Sequence, residues 1–427
     1  MLALGADRMI RPHRRCDVLV LGAGIVGICV ALHLQRRSRA VVLLDRRGAA
    51  EETSYGNAGL IQREGVYPYG FPHEYGALAR YALNRTIDAH YHPSALLRLA
   101  PFLWQYWTYS RPARHEEVAR KYATLIEHCV AEHEALAAAA DVSANFRRQG
   151  WLKLFRTERE RDKRFAEAER LREFGVNFLA LDAGSVQALE PHIAPVVSGA
   201  LHYTDPISVD DPHGLAHAYL ALFQRLGGEF VQGNATTLHR DGDAWSVRTA
   251  HDTLTASAVV IALGPWSGVL TRALGYDLPL AVKRGYHMHY RPAGDAVLNH
   301  PVLDHERGYF LAPMRRGIRL TTGAEFALRD AMKTPVQLGR AEPIARDLFP
   351  LAGRLDTDPW MGSRPCTPDM LPIIGRAPRH PNLWFAFGHA HHGLTLGPVT
   401  GRLIAEMLTG DATFVDPAPF AAERFGR

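Results

Sequence analysis

From Cys16 to Leu34 the chain reads CDVLVLGAGIVGICVALHL: a continuous apolar run, a turn rich in glycine, then apolar residues at helical spacing. That pattern predicts a buried strand, a tight turn and a helix. A second apolar run, AVVLLD, ends in Asp45 and predicts a neighbouring strand. Farther along, PLAVKRGYHMHY, RGYFLAPM and GIRLTTGAEF are short, turn-bounded and alternate with period two, as strands of an antiparallel sheet do. Near the C-terminus GLTLGPVTGRLIAEMLTG predicts a helix with Pro398 in its first turn and its end before Gly410. No internal repeat, low-complexity segment or long linker breaks the pattern.

Composition narrows the classes. A chain of 427 residues, 47% hydrophobic and 22% charged, has material for one large core or two domains and reads as folded throughout. The net charge of +5 is spread along the chain. Its densest run, RTERERDKR, alternates sign and sets Glu160 four residues before Arg164, as a solvated helix face does. No nucleic-acid motif accompanies the charge, so no nucleic-acid partner is expected. Cys16, Cys29, Cys129 and Cys366 form no CxxC pair, which points to a reducing compartment without structural zinc. The N-terminal MLALGADRMIRPHRR lacks the apolar core of a signal peptide, and no run of about 18 apolar residues follows. A cytoplasmic protein, or one peripheral to the inner membrane, is expected. LLRLAPFLWQYWTYS (Leu96 to Ser110) fits either a membrane-surface helix or an interior one; without a clean basic-rimmed face, interior packing is the favoured reading.

The glycine turn has a specific chemistry. Gly22 permits the tight turn, Gly24 lets backbone approach a pyrophosphate, and Gly27 lets helix pack on strand, while Ile25 and Val26 open a helix whose free N–H groups face phosphates. Asp45, about 20 residues on, is placed for a ribose 2′-OH. Arg46 and Arg47 keep a 2′-phosphate in play, and the half-motif alone suits NAD as well as FAD. The loop EETSYGNAGLIQ adds small side chains, backbone donors and the hydroxyls of Thr53 and Ser54, followed by Asn57, Ala58, Gly59 and Leu60.

At this loop the sequence resembles the D-amino acid oxidase superfamily of flavoproteins, most closely the bacterial D-amino acid dehydrogenases. The likeness continues through RRQGWLKLFRTE, SAVVIALGPWS, WMGSRPCTPDMLPIIG and NLWFAFGHAHHGLTLGPVTGRLIAEML, nearly the whole chain. It implies an α/β plus α+β architecture in which the chain crosses between two units. A Rossmann-like FAD-binding domain would take residues 14–90, 198–275 and 356–425; a substrate domain on an antiparallel sheet would take 91–197 and 276–355. It further implies that FAD runs along the Thr53–Leu60 loop and meets Ala262, Gly264, Trp266, Gly388, His389, Gly393, Leu394 and Thr395. Some relatives anchor FAD through a cysteine upstream of a Thr-Pro-Asp; Gly362 stands at that place here, so noncovalent FAD is expected.

Oxidation of an amino acid requires a grip on its carboxylate, and a guanidinium supplies one through two parallel charge-assisted hydrogen bonds. The resemblance gives that role to Arg364, assisted by Tyr309, with His391 or His392 beside the substrate. Read from the residues alone, Arg364 fits an ion pair with Asp369 equally well. GHAHHG has no adjacent carboxylate or cysteine, and no metal is expected there. Lys283 and Tyr286 fit a pocket-facing place on a strand, but with alternation the only support they are expected on the sheet surface. The activity implied is oxidative deamination of a small or cyclic D-amino acid, of D-proline or D-hydroxyproline type, by hydride transfer to flavin N5. The last helix would point its N-terminal dipole at the reduced ring. Electrons would pass to a quinone or carrier protein rather than NAD. A glycine- or sarcosine-type oxidase, or a flavin subunit inactive without a partner, remain alternatives.

Overall fold

The computed structural model describes residues 13 to 426; the N-terminal segment read above for a signal peptide lies outside the described residues apart from its last three. The glycine-turn pattern folds as expected. Strand His13–Leu21 leads into helix Ile25–Gln35 and then strand Val41–Asp45. These belong to an eight-stranded sheet in which Glu229–Gln232, Val41–Asp45, His13–Leu21 and Thr253–Ile261 lie side by side, parallel, with Leu383–Phe387 continuing the parallel set. Helix Ile25–Gln35 is apolar nearly all round because it is covered by Gly393–Thr409 and by Pro212–Arg225. The close approach needs a small residue: a Cβ on Gly401 would lie 2.5 Å from the Cys29 carbonyl oxygen.

A second, eleven-stranded sheet holds the alternating segments. Ala281–Pro292 is its longest strand, pairing antiparallel with Gly317–Thr322, Ala324–Phe326, Leu351–Arg354 and Trp360–Cys366. Tyr309–Met314 pairs antiparallel with Gly317–Thr322. Strand membership runs across the expected segment limits at three places. Ala89–Tyr91, Gly199–Tyr203 and Trp360–Cys366 all hydrogen-bond within this second sheet. Gly199–Tyr203 is hydrogen-bonded on both sides, between Trp151–Phe155 and Phe178–Asp182, while the other two strands pair backbone groups that an edge would leave open.

The final helix departs from expectation. It begins at Gly393, so Pro398 lies in its interior, and it ends at Gly410 with φ +79°. A proline there removes the N–H that would bond the Leu394 carbonyl four residues back. His133, from helix Cys129–Ala139, replaces it: Nε2 donates to the Leu394 oxygen at 2.8 Å, with Nδ1 3.1 Å from the Tyr219 hydroxyl. An expected outcome follows. His133→Phe, which keeps a planar ring but strips the donor, should leave that carbonyl unsatisfied and lower stability by about 1–3 kcal/mol, read as a reduced Tm; an unchanged Tm would remove His133 from this role.

Helix Pro93–Tyr109 buries Ala95, Leu99, Phe102 and Tyr106, as the interior reading of its aromatic stretch requires. Its outer face nonetheless leaves Leu97 and Trp104 exposed, 88% and 66% respectively. No helix among the described residues is long and apolar enough to cross a membrane.

Candidate active site

A cavity of about 1110 Å³ runs from the glycine turn to Arg364, along the seam between the two sheets. At its first end Gly22 sits at φ +106°, and a Cβ there would fall 2.5 Å from the Ala262 carbonyl oxygen, so only glycine fits. The turn is clamped by Asp45, whose Oδ2 accepts from the Ala23 N–H at 2.7 Å and whose Oδ1 accepts from Arg47 N at 3.1 Å. Ser54 Oγ accepts from Ile25 N at 3.0 Å, binding the second loop to the start of the helix. Arg46 stacks 4.5 Å over Trp266 and pairs with Glu52 at 2.8 Å.

Most residues singled out from the sequence reach this cavity. Gly22, Gly24, Ile25, Val26, Asp45 and Arg46 line it, as do Thr53, Ser54, Asn57, Ala58 and Leu60, Ala262, Gly264 and Trp266, and His389, Gly393 and Leu394. Gly27, Gly59, Gly388 and Thr395 do not; they shape the backbone behind it. A Cβ on Gly27 would strike the Gly22 carbonyl and one on Gly59 the Val209 carbonyl, Gly388 has φ +87°, and Thr395 Oγ1 accepts from Gln62 N at 3.2 Å.

At the other end Arg364 projects from strand Trp360–Cys366 across the bare face of Gly285, where a Cβ would meet its Nη2 at 2.5 Å. Its Nη1 donates to the Gly323 carbonyl at 3.2 Å. Among the described residues it makes no ion pair. Asp369, the alternative partner, is held by Arg424 at 2.8 Å instead. The guanidinium therefore keeps donors directed at the cavity, and burial lowers its pKa, offset by Cys366 and Tyr69.

Tyr309 also borders the cavity, but its hydroxyl donates to the Ile344 carbonyl at 3.3 Å within the second core, so the structure does not bring it to Arg364 as a second carboxylate donor. The alternation that placed it on the sheet was sound; which face its hydroxyl served depended on helix Val336–Leu348, far along the chain. Lys283 and Tyr286, expected on the sheet surface, are both buried, 8% and 0% exposed. Tyr286 joins the Arg284–Glu325 ion pair, accepting from Arg284 Nη2 at 2.9 Å and donating to Glu325 at 2.9 Å. Lys283 faces the cavity. Its signal was present in the sequence as K-x-G in one strand opposite an arginine in another, but required the pairing register, Lys283 against Arg364. Tyr69 and Tyr106 complete this end; Tyr106 donates to the Tyr69 carbonyl at 2.6 Å.

The histidine loop lies alongside. The His391 ring is 4.6 Å from Tyr69 and 3.8 Å from His392, while His389 Nε2 faces Thr400 Oγ1 and His392 Nδ1 faces the Tyr122 hydroxyl, each at 2.8 Å. Burial pushes the pKa of His389 and His392 down to about 3 and that of His133 to about 4; His391 is held well below its ordinary value by burial, then His392, Arg364 and Lys283. All four are neutral at pH 7. The described residues place a different trio of metal-type ligands together, His90, His92 and Glu325, whose carboxylate is already bonded to Arg284 at 2.6 Å.

The FAD dependent oxidoreductase model, DAO, matches residues 17–407. The chain belongs to that family. It is 33% identical to a D-amino acid dehydrogenase of Methylobacterium radiotolerans over 96% of this chain and 99% of that protein. It is 29% identical to a D-amino-acid oxidase of Bradyrhizobium diazoefficiens over 96% and 98%. In fold, glycine oxidase from Geobacillus kaustophilus superposes with a TM-score of 0.74 at 22% identity, over 96% of this chain and 99% of that one. The chain is thus a flavoenzyme of mixed α/β architecture whose cofactor is FAD. The cavity fits that cofactor, since both Gly22 and Gly24 keep its floor free of side chains.

The neutral imidazoles fix a pH response. An unfolded chain protonates them near pH 6.5, whereas the folded chain resists until about pH 4 or below. Stability is therefore fully present above pH 6.5 and declines on acidification towards 4, by up to about 1.4 kcal/mol per pH unit for each such group. Thermal scans across that range should show a falling Tm; a flat profile would contradict the burial of these rings.

Proposed function

We propose that the protein is an FAD-dependent D-amino acid dehydrogenase, and that Arg364 binds the substrate carboxylate. The observation that carries this reading is a guanidinium at the end of the flavin cavity with no carboxylate partner among the described residues. In a buried site such a group is costly unless a ligand completes it. Two parallel hydrogen bonds to a carboxylate would fix the Cα and its hydrogen in one orientation. When bound, FAD supplies the two-electron acceptor that takes the α-hydrogen as hydride. Gly22, Gly24 and the Ile25 helix start would hold its pyrophosphate, with Asp45 bonding the ribose through the lone pairs left by Ala23 and Arg47.

The chain's own residues then position the substrate and exclude water. The substrate amine must be neutral to release its α-hydrogen, and the two cations at this end favour loss of its proton. His391, neutral and packed against Tyr69 at a tilt of 50°, contributes a wall rather than a charge. Tyr69 and Tyr106 limit the side chain, which supports a short substrate over a long or bulky one. The resulting imine adds water to give a 2-oxo acid and ammonia, or persists when cyclic.

For the acceptor we favour a membrane quinone. Leu78, Tyr81, Leu96 and Leu103 line the cavity from helices Tyr75–Ala82 and Pro93–Tyr109. The outward side of the same helices and the loop between them exposes Tyr75, Leu83, Leu97 and Trp104 beside Arg80, Arg85 and Arg98. Exposed apolar groups among arginines suit an anionic lipid surface.

Anaerobic mixing should bleach the yellow band with D-alanine, D-proline or cis-4-hydroxy-D-proline and spare it with their L-counterparts. Quinone in anionic vesicles should restore the colour faster than air. Rapid return in air with hydrogen peroxide would make it an oxidase, and yellow protein reduced by no amine would indicate a partner-dependent subunit. In a second experiment, Arg364→Lys loses bidentate geometry while keeping charge. It should raise the half-saturating amino acid concentration at least tenfold with flavin content intact; unchanged saturation would dismiss Arg364 as the carboxylate ligand.

A further inference from the structure

Lys283 is a buried ionisable group to which the proposed reaction assigns no ligand. It lies on strand Ala281–Pro292 directly opposite Arg364, and residues so paired point their side chains to the same face about 5 Å apart. Its Nζ is 3.8 Å from the centroid of Tyr106, 5.6 Å from that of Phe326, and 3.8 Å from the Met370 sulfur. These are an aromatic face, a second aromatic ring and a thioether; no carboxylate pairs with it among the described residues. Burial lowers its pKa to about 8, against an opposing effect of the Cys366 thiol and with a lesser lowering by the neighbouring Arg364, which leaves it mostly cationic at neutral pH.

The cavity end therefore holds two neighbouring cations, neither of which has a carboxylate partner among the described residues. A monocarboxylate substrate would neutralise one of them and leave the other buried and unpaired, an arrangement penalised by both desolvation and mutual repulsion. A ligand with two carboxylates would satisfy both. We propose that Lys283 binds a second anionic group on the substrate, so that the site selects D-amino acids with a short, carboxylate-bearing side chain. This rests on the reading of Arg364 as the α-carboxylate ligand. Tyr106 serves both charge states, since its ring face stabilises the ammonium before the ligand arrives.

The test uses the flavin-loaded protein and two readouts. Glutarate should raise its Tm at concentrations where butyrate has no effect. D-aspartate or D-glutamate should reduce the flavin with kcat/KM at least tenfold above D-alanine. In Lys283→Met the glutarate shift should disappear and that preference fall at least tenfold, while Lys283→Arg, which keeps the charge, should retain most of both. Equal shifts with glutarate and butyrate in the unaltered protein, or an unaltered preference in Lys283→Met, would overturn the proposal. D-alanine oxidised without preference for acidic substrates removes the second anion site and leaves the dehydrogenase reading standing. A Lys283-dependent glutarate shift in a protein that no D-amino acid reduces does the reverse. Should Lys283→Met fail to retain flavin, the unaltered protein's glutarate and butyrate shifts decide alone.

Discussion

One short crossing organises the site. Strand Trp360–Cys366 belongs to the eleven-stranded sheet, and after only six intervening residues Ile373–Arg376 belongs to the eight-stranded one. Between them Thr367 Oγ1 donates to the Leu371 carbonyl at 2.7 Å, Asp369 Oδ1 accepts from Leu371 N at 3.1 Å, and Met370 adopts φ +61°. A non-glycine residue in that region costs energy and persists where its surroundings over-determine it. The Asp369–Arg424 ion pair, its carboxylate buried and its guanidinium partly so, supplies that constraint. Arg364 stands two residues before the crossing. Its position relative to the glycine turn is thus set by a rigid connection and not by the packing of one mobile unit on another.

The ion pair that a sequence reader would assign to Arg364 is consequently the one it must not make. Asp369 engages the C-terminal Arg424, and this frees Arg364 for the cavity. Neighbouring imidazoles add nothing to that positive charge, because burial keeps His389, His391 and His392 neutral. Charge at this end is therefore concentrated in Arg364 and Lys283, which share one cross-strand position. Gly285 makes the arrangement possible, since any side chain there would occupy the guanidinium's place.

Local patterns were legible where one element settles its own conformation. The glycine turn, its flanking strands and Asp45 act within thirty residues, and the period-two segments declared their sheet. What the sequence withheld was every feature decided between distant segments. Tyr309 alternates correctly, yet its hydroxyl is claimed by Ile344. Lys283 looks like a polar strand residue until its partner strand is known. Gly199–Tyr203 and Trp360–Cys366 lie in segments assigned by likeness to the nucleotide unit, while their hydrogen bonds are to the other sheet.

Pro398 shows how such long-range contacts alter function and not merely topology. A proline ordinarily marks a helix start, and a helix beginning there would end short of the cavity. With His133 supplying the missing hydrogen bond, the helix extends back to Gly393, and Gly393 and Leu394 become part of the cavity wall. The positive end of its dipole then lies on the same cavity as Arg364 and Lys283. Three sources of positive potential, drawn from a helix and two paired strands, converge on a space with neutral imidazoles at its side. Such a cavity favours anionic ligands and the anionic form of whatever it reduces, which is the electrostatic condition a flavin-dependent oxidation of amino acids requires.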